Sequence, residues 1–152
     1  MKVYNGEIKD LNLPEKSYDI ITMWHVLEHM RDPLSNLKKA SVLLKEDGLI
    51  VIEVPNLNAY FERFIYFLIK LKKEPLYTER ENHLFFFSPE TLKKILRKVN
   101  FRILSSYPEI SQIYFKKKFV EYIGKIFYLM TKINLGSTIR VIACKKENGS
   151  FY

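Results

Sequence analysis

At 152 residues, 47% of them hydrophobic, the chain has material for one core and too little for two ordinary domains. A single cysteine excludes an internal disulfide and fits a reducing, cytoplasmic compartment; residues 1–6 lack a signal-peptide core, and no apolar run approaches the roughly 18 residues of a membrane span. The net charge of +8 suits an anionic partner such as a nucleotide, a nucleic acid or an acidic membrane surface.

The first strand-like run is Tyr18-Asp19-Ile20-Ile21-Thr22-Met23-Trp24, largely apolar and rich in β-formers, as in a strand buried on both faces of a parallel sheet. From Asp32-Pro33 onward Leu34, Leu37, Ala40, Leu43 and Leu44 recur at helical spacing. Gly48 stands where the end of that helix takes a residue tolerant of positive φ. Leu49-Ile50-Val51-Ile52-Glu53-Val54 is the next buried strand, and Pro55-Asn56 ends it because proline cannot donate to the ladder. A strand, helix, strand unit of this kind is expected to be right-handed.

Residues 57–73 hold Tyr60, Phe61, Phe64, Ile65, Phe67, Leu68 and Leu71 and predict a long apolar helix with a basic end. Ser88-Pro89-Glu90 opens another helix, with serine as N-cap, proline at the first helical position, Leu92, Ile95, Leu96 and Val99 on the buried face and Asn100 as C-cap. Residues 101–107 read as a strand, 112–133 as a second basic, aromatic helix, and 137–145, including Cys144 as a small core hydrophobe, as a final strand. This alternation is that of a layered α/β domain. The two basic, aromatic helices admit three readings: core packing with solvated lysines, a lid over an apolar acceptor, or a helix on an anionic membrane surface. A nucleic-acid strand would suit the same side chains, but the lysines are spread over several elements and no recognition module is present, so nucleic acid is not the expected partner.

All three histidines fall in two segments, Trp24-His25-Val26-Leu27-Glu28-His29-Met30 and Glu81-Asn82-His83-Leu84-Phe85-Phe86-Phe87-Ser88-Pro89. His25, Glu28 and His29 stand at i, i+3 and i+4, so one helical turn would bring them to one face, and His83 would complete a four-ligand site for zinc, nickel or iron. Without a metal, His29 oriented by Glu28 is a general base. In the third reading Glu28 and His29 brace the following helix and His25 lines a cleft.

Six fragments carry a resemblance: Asn5-Gly6-Glu7-Ile8, Leu13-Pro14-Glu15-Lys16-Ser17-Tyr18-Asp19-Ile20-Ile21, His25-Val26-Leu27-Glu28-His29, Leu44-Lys45-Glu46-Asp47-Gly48-Leu49, Val54-Pro55-Asn56 and His83-Leu84-Phe85-Phe86-Phe87-Ser88. In this order and spacing the chain resembles the second half of a class I S-adenosylmethionine-dependent methyltransferase, of the kind that acts on small molecules, sugars or lipid-linked acceptors. The resemblance implies a partial Rossmann-like sheet, mostly parallel with an antiparallel C-terminal strand, helices on both faces, and inserted amphipathic helices. It makes residues 1–152 a single incomplete domain with lid or insertion segments at 57–87 and 108–135. It also implies S-adenosylmethionine as methyl donor, with Glu7 meeting the adenine amino group, the Ile8 amide at the ring and Trp24 on the cofactor side. His25, Glu28, His29 and His83 fall on the acceptor side as the catalytic set. Quinone-biosynthesis and small-RNA methyltransferases carry Glu-x-x-Glu-His plus a distant histidine around a divalent ion. Here His25 replaces the first glutamate, which argues against magnesium.

A glycine-rich turn after the first strand is missing, because no two of Gly6, Gly48, Gly124, Gly136 and Gly149 are close enough to make one. Two expectations follow: a fragment of a longer gene product, or a short protein with an incomplete donor site, whose competing role is a non-catalytic binding or scaffold protein. In either case the strand 18–24 would expose an apolar edge, covered by residues 1–5 folding back or by a second copy in a homodimer. Localisation is then cytoplasmic, with peripheral membrane contact through the basic helices.

Overall fold

In the computed structural model, which describes residues 1–57, 83–109 and 137–146, four strands form one sheet. Their order is β1 (Tyr18–Trp24), β2 (Leu44–Pro55), β4 (Thr138–Lys145), β3 (Phe101–Glu109). β1 and β2 are parallel, and β4 is antiparallel to both β2 and β3, so three strands share a direction and the C-terminal strand opposes them. This is the mixed α/β sheet that the resemblance implies.

Side chains alternate across a strand, and the pairing registers collect one set on a single face. Met23 lies beside Ile52 and Ile52 beside Val141; Ile21, Ile50, Ala143 and Ile103 form the adjoining row. Onto this face α1 (Pro33–Leu43) lays Leu37 and Ala40, and α2 (Pro89–Lys98) lays Leu92 and Leu96, all in one buried cluster. Full burial of each such leucine contributes about 1.5–3 kcal/mol. The helices read at 57–73 and 112–133, within the expected lid or insertion segments, lie outside the described residues except for Leu57.

Local chemistry sets the helix ends. The Asp32 side chain accepts from the Ser35 amide at 3.0 Å with Pro33 in the first turn. Ser88 and Thr91 form a reciprocal capping box, the Thr91 amide donating to Ser88 Oγ at 3.2 Å and the Ser88 amide to Thr91 Oγ1 at 2.8 Å. Such a cap is worth about 1 kcal/mol. Asn100, one residue past the C-cap of α2, has φ +64, the left-handed geometry that asparagine tolerates better than most residues.

Two expectations are corrected. Gly48 does not end α1: the helix stops at Leu43 and Leu44 is already extended, with φ −68 and ψ 143. Glycine is needed there because a Cβ would stand 2.9 Å from Leu44 Cδ2 and 3.0 Å from the Lys45 carbonyl oxygen, where β2 bulges between its pairings with Tyr18 and Ile20. Nor do residues 1–5 cover the sheet: Met1, Val3 and Tyr4 are exposed and carry no strand. Among the described residues β1 pairs with β2 alone, and Ile20 is left 58% exposed. Burying five residues with two polar side chains, Lys2 and Asn5, against an edge offers little to offset the entropy of ordering them. No helix among the described residues is long and apolar enough to cross a membrane.

Candidate functional site

At the carboxyl ends of β1 and β2, where open α/β sheets form their ligand crevice, the chain leaves β1 through His25, whose φ is +50. A 3₁₀ turn, Leu27–His29, follows. His25 therefore precedes the turn and does not share a helical face with Glu28 and His29, contrary to the i, i+3, i+4 reading. The left-handed step reverses its direction, and its Nδ1 comes within 3.4 Å of Glu28 Oε1 while Nε2 lies 3.3 Å from Glu53 Oε1. The His25 amide also donates to the Glu53 carbonyl at 2.9 Å, fixing the crossing from β1 to the end of β2.

Glu28 is the most unusual group. It is 1% exposed, and neither carboxylate oxygen has a hydrogen-bond partner. Its backbone is held firmly: the Leu84 and Phe85 amides both donate to the Glu28 carbonyl, at 2.9 and 3.1 Å. These two bonds clip the segment carrying His83 onto the turn, and the Leu57 amide donating to the Phe87 carbonyl at 2.8 Å anchors its other end to β2. The His29 and His83 rings meet edge to face with centroids 4.8 Å apart, and His29 Nε2 lies 3.9 Å from Glu28 Oε1. The structure thus gathers His25, Glu28, His29 and His83 in one place.

Next to this group runs a row that crosses every strand. Trp24 pairs with Glu53, Glu53 with Arg140, and Arg140 with Tyr107. The Arg140 guanidinium lies 4.7 Å from the Trp24 ring centre and 5.8 Å from that of Tyr107, distances at which cation–π attraction operates. Glu53 and Arg140 were not singled out from sequence. The signal was there: one acid inside the apolar run 49–54 and one base inside the apolar run 138–144, each needing an opposite charge to be buried.

Glu7 and Ile8 stand apart, on and beside the 3₁₀ turn Ile8–Asp10 that packs on α1. The Asn36 side-chain amide donates to Glu7 Oε2 at 2.8 Å, and this bond, with the Arg31 backbone amide and Lys9 assisting, holds the Glu7 carboxyl below its ordinary range. Asn36 Oδ1 in turn accepts from the Lys9 amide at 3.1 Å. Glu7 is thereby an oriented, ionised acceptor, and a carboxylate with about four acceptor sites keeps capacity for a further donor.

A family model described as a methyltransferase domain matches residues 3–106. Among solved structures, the chain is similar to a SAM-dependent methyltransferase from Thermotoga maritima, with 22% identity, a TM-score of 0.62 and coverage of 93% of this chain and 62% of that one. It is also similar to a SAM-dependent methyltransferase from Archaeoglobus fulgidus, with 24% identity, a TM-score of 0.58 and coverage of 94% and 66%. The chain thus spans less than two thirds of the length of either structure. No curated protein matches it by sequence.

Proposed function

The chain belongs to the methyltransferase domain family, and from that premise we propose that it serves methyl transfer from S-adenosylmethionine to a hydroxyl of a small-molecule, sugar or lipid-linked acceptor. The observation that carries this reading is the buried Glu28 carboxylate flanked by His25 and His29 at the carboxyl ends of the parallel strands. The donor, when bound, supplies a methyl group already activated by its sulfonium, so alignment provides most of the rate.

The chain's own residues act on the acceptor. His29 takes the hydroxyl proton through the nitrogen facing away from Glu28, and the Glu28 carboxylate, 3.9 Å from Nε2, stabilises the imidazolium so formed. His25, held between Glu28 and Glu53, orients both carboxylates. Glu7 and the Ile8 amide are the groups that would meet the adenine, and the exposed face of Trp24 would border the donor. The single cysteine supports a cytoplasmic setting. The exposed Ile20 of β1, a strand with no neighbour beyond it among the described residues, supports association with a second copy.

A second reading is a non-catalytic binding or scaffold protein descended from a methyltransferase; within these 152 residues no two of the five glycines lie close enough to form a cofactor-cradling turn. Calorimetric titration of the 152-residue chain with S-adenosylmethionine and S-adenosylhomocysteine separates the two. Saturable binding of both supports methyl transfer. A chain that is folded by circular dichroism and binds neither supports the second reading.

A further inference from the structure

We propose that Glu28, His29 and His83 form a binding site for a divalent transition-metal ion of the zinc type, an inference that does not depend on methyl transfer. One donor atom from each residue lies within 4.8 Å of the others. The set is one carboxylate and two imidazoles, which suits zinc, cobalt(II) or nickel and is poorly matched to magnesium.

The independent observation is the state of Glu28. A carboxylate 1% exposed, with neither oxygen hydrogen-bonded, is costly to bury unless a cation joins it. Around a tetrahedral ion at about 2.1 Å, donor atoms stand about 3.4 Å apart, so the group has to draw in by about an ångström. A movement of this size is within the reach of side-chain rotation at His29 and His83. The backbone is already set: the two amides next to His83 donate to the carbonyl of Glu28 itself, so a ligand far along the chain is tied to the peptide of its partner. His25, with Nδ1 at 3.4 Å from Glu28 Oε1, is the outer group that orients the carboxylate. Three protein ligands leave a coordination position for water or an acceptor hydroxyl, as in catalytic zinc sites, and with an ion bound His29 would serve as a ligand in place of its role as base.

The test uses the full chain freed of metal with a chelator, titrated with zinc by calorimetry and with cobalt(II) by visible absorption. The expected result is one equivalent bound, with the intense ligand-field bands of a four- or five-coordinate cobalt site. Glu28→Gln and His83→Ala are expected to weaken binding at least tenfold. Because Glu28 is buried, His29→Ala, at a side chain 42% exposed, is the companion variant whose folding is least at risk, and it too is expected to lose at least tenfold. No saturable binding by the parent chain, or equal affinity in the folded His29→Ala and His83→Ala variants, overturns the proposal. Donor binding is read separately, so failure of this site and failure of the methyl-transfer reading are distinguishable.

Discussion

Glu53 and Arg140 oppose each other across β2 and β4, and both Nε and Nη2 of the arginine reach the same oxygen, Oε2, at 2.7 and 2.6 Å. The other oxygen, Oε1, is left to His25 at 3.3 Å. One carboxylate thus joins the polar row across the sheet to the histidine group.

Breaking this pair on one side is expected to cost more than removing it whole. A fully buried pair broken singly costs about 3–5 kcal/mol. Since Arg140 is 25% exposed, Arg140→Leu is expected to cost about 2–3 kcal/mol. Glu53→Leu combined with Arg140→Leu should recover most of that loss. Urea unfolding of the two single variants and the double variant gives the coupling directly; additive losses would show that the pair is not energetically joined.

What was legible in the sequence follows the range of the interaction that sets it. Ser88, Pro89 and Asn100 announce the ends of α2 because caps are made by residues within a turn of one another. The strands were readable from uninterrupted apolar runs. Gly48 was misread because glycine serves two purposes, positive φ and close approach, and only the neighbouring Leu44 side chain shows which one applies. The union of His83 with Glu28 rests on two backbone bonds between distant segments, which no local pattern encodes. The Glu53–Arg140 pair could have been inferred from charge balance, but its register depends on the pairing of β2 with β4. His25 was placed in the right pocket for the wrong reason, because a left-handed step replaces the helical turn that its spacing suggested.

The stability of the chain is expected to fall at both ends of the pH range. Hydrogen bonds from Asn36 to Glu7, from Ser35 to Asp32, from Lys45 to Asp19 and from Lys16 to Glu46 hold these carboxyls below their ordinary range in the folded state. A folded pKa below the unfolded one means that the stabilisation is complete above the unfolded value, about 4, and is lost as the pH falls through it and below. Lys16 and Lys45 are raised by Glu46 and Asp19, so their contribution is complete below about 10 and is lost above it. Lys16, Asp19 and Glu46 are exposed and Glu7, Asp32 and Lys45 half-buried, so the slopes should be shallow and should diminish with added salt. Glu46→Gln is expected to flatten both limbs, because it removes an acid and the partner of Lys16. A urea-midpoint profile against pH with unchanged limbs would count against these pairs.

The unpaired side of β1 is expected to drive self-association. Ile20 is 58% exposed, and among the described residues β1 has no strand beyond it. An apolar edge of this kind is a template for another chain, and a single lysine on it is the usual deterrent. Sedimentation velocity over a rising concentration series should show the weight-average coefficient increasing for the parent chain and staying flat for Ile20→Lys. A parent chain that remains monomeric throughout would show that the edge is already protected.

Glu28→Gln should stabilise the metal-free protein while weakening the site. The carboxylate is buried without a donor, and an uncompensated polar group in such a place costs about 1–3 kcal/mol. Glutamine has the same shape, carries no charge, and presents an amide donor toward His25 Nδ1, which stands 3.4 Å from Oε1. The expected gain is about 1 kcal/mol in chelator, measured as a shift of the urea midpoint with unchanged slope. With zinc present the order should reverse. An ion that binds only the folded state adds about 2.7 kcal/mol at a hundredfold excess over its Kd, and the parent chain would receive that increment while the glutamine variant would not. A variant less stable than the parent in chelator would mean that the carboxylate is compensated in the folded protein by a group other than a metal. A charge kept at a net cost to the fold is what a ligand site requires, and this crossover with zinc is the measurement that distinguishes a retained ligand from an ordinary buried acid.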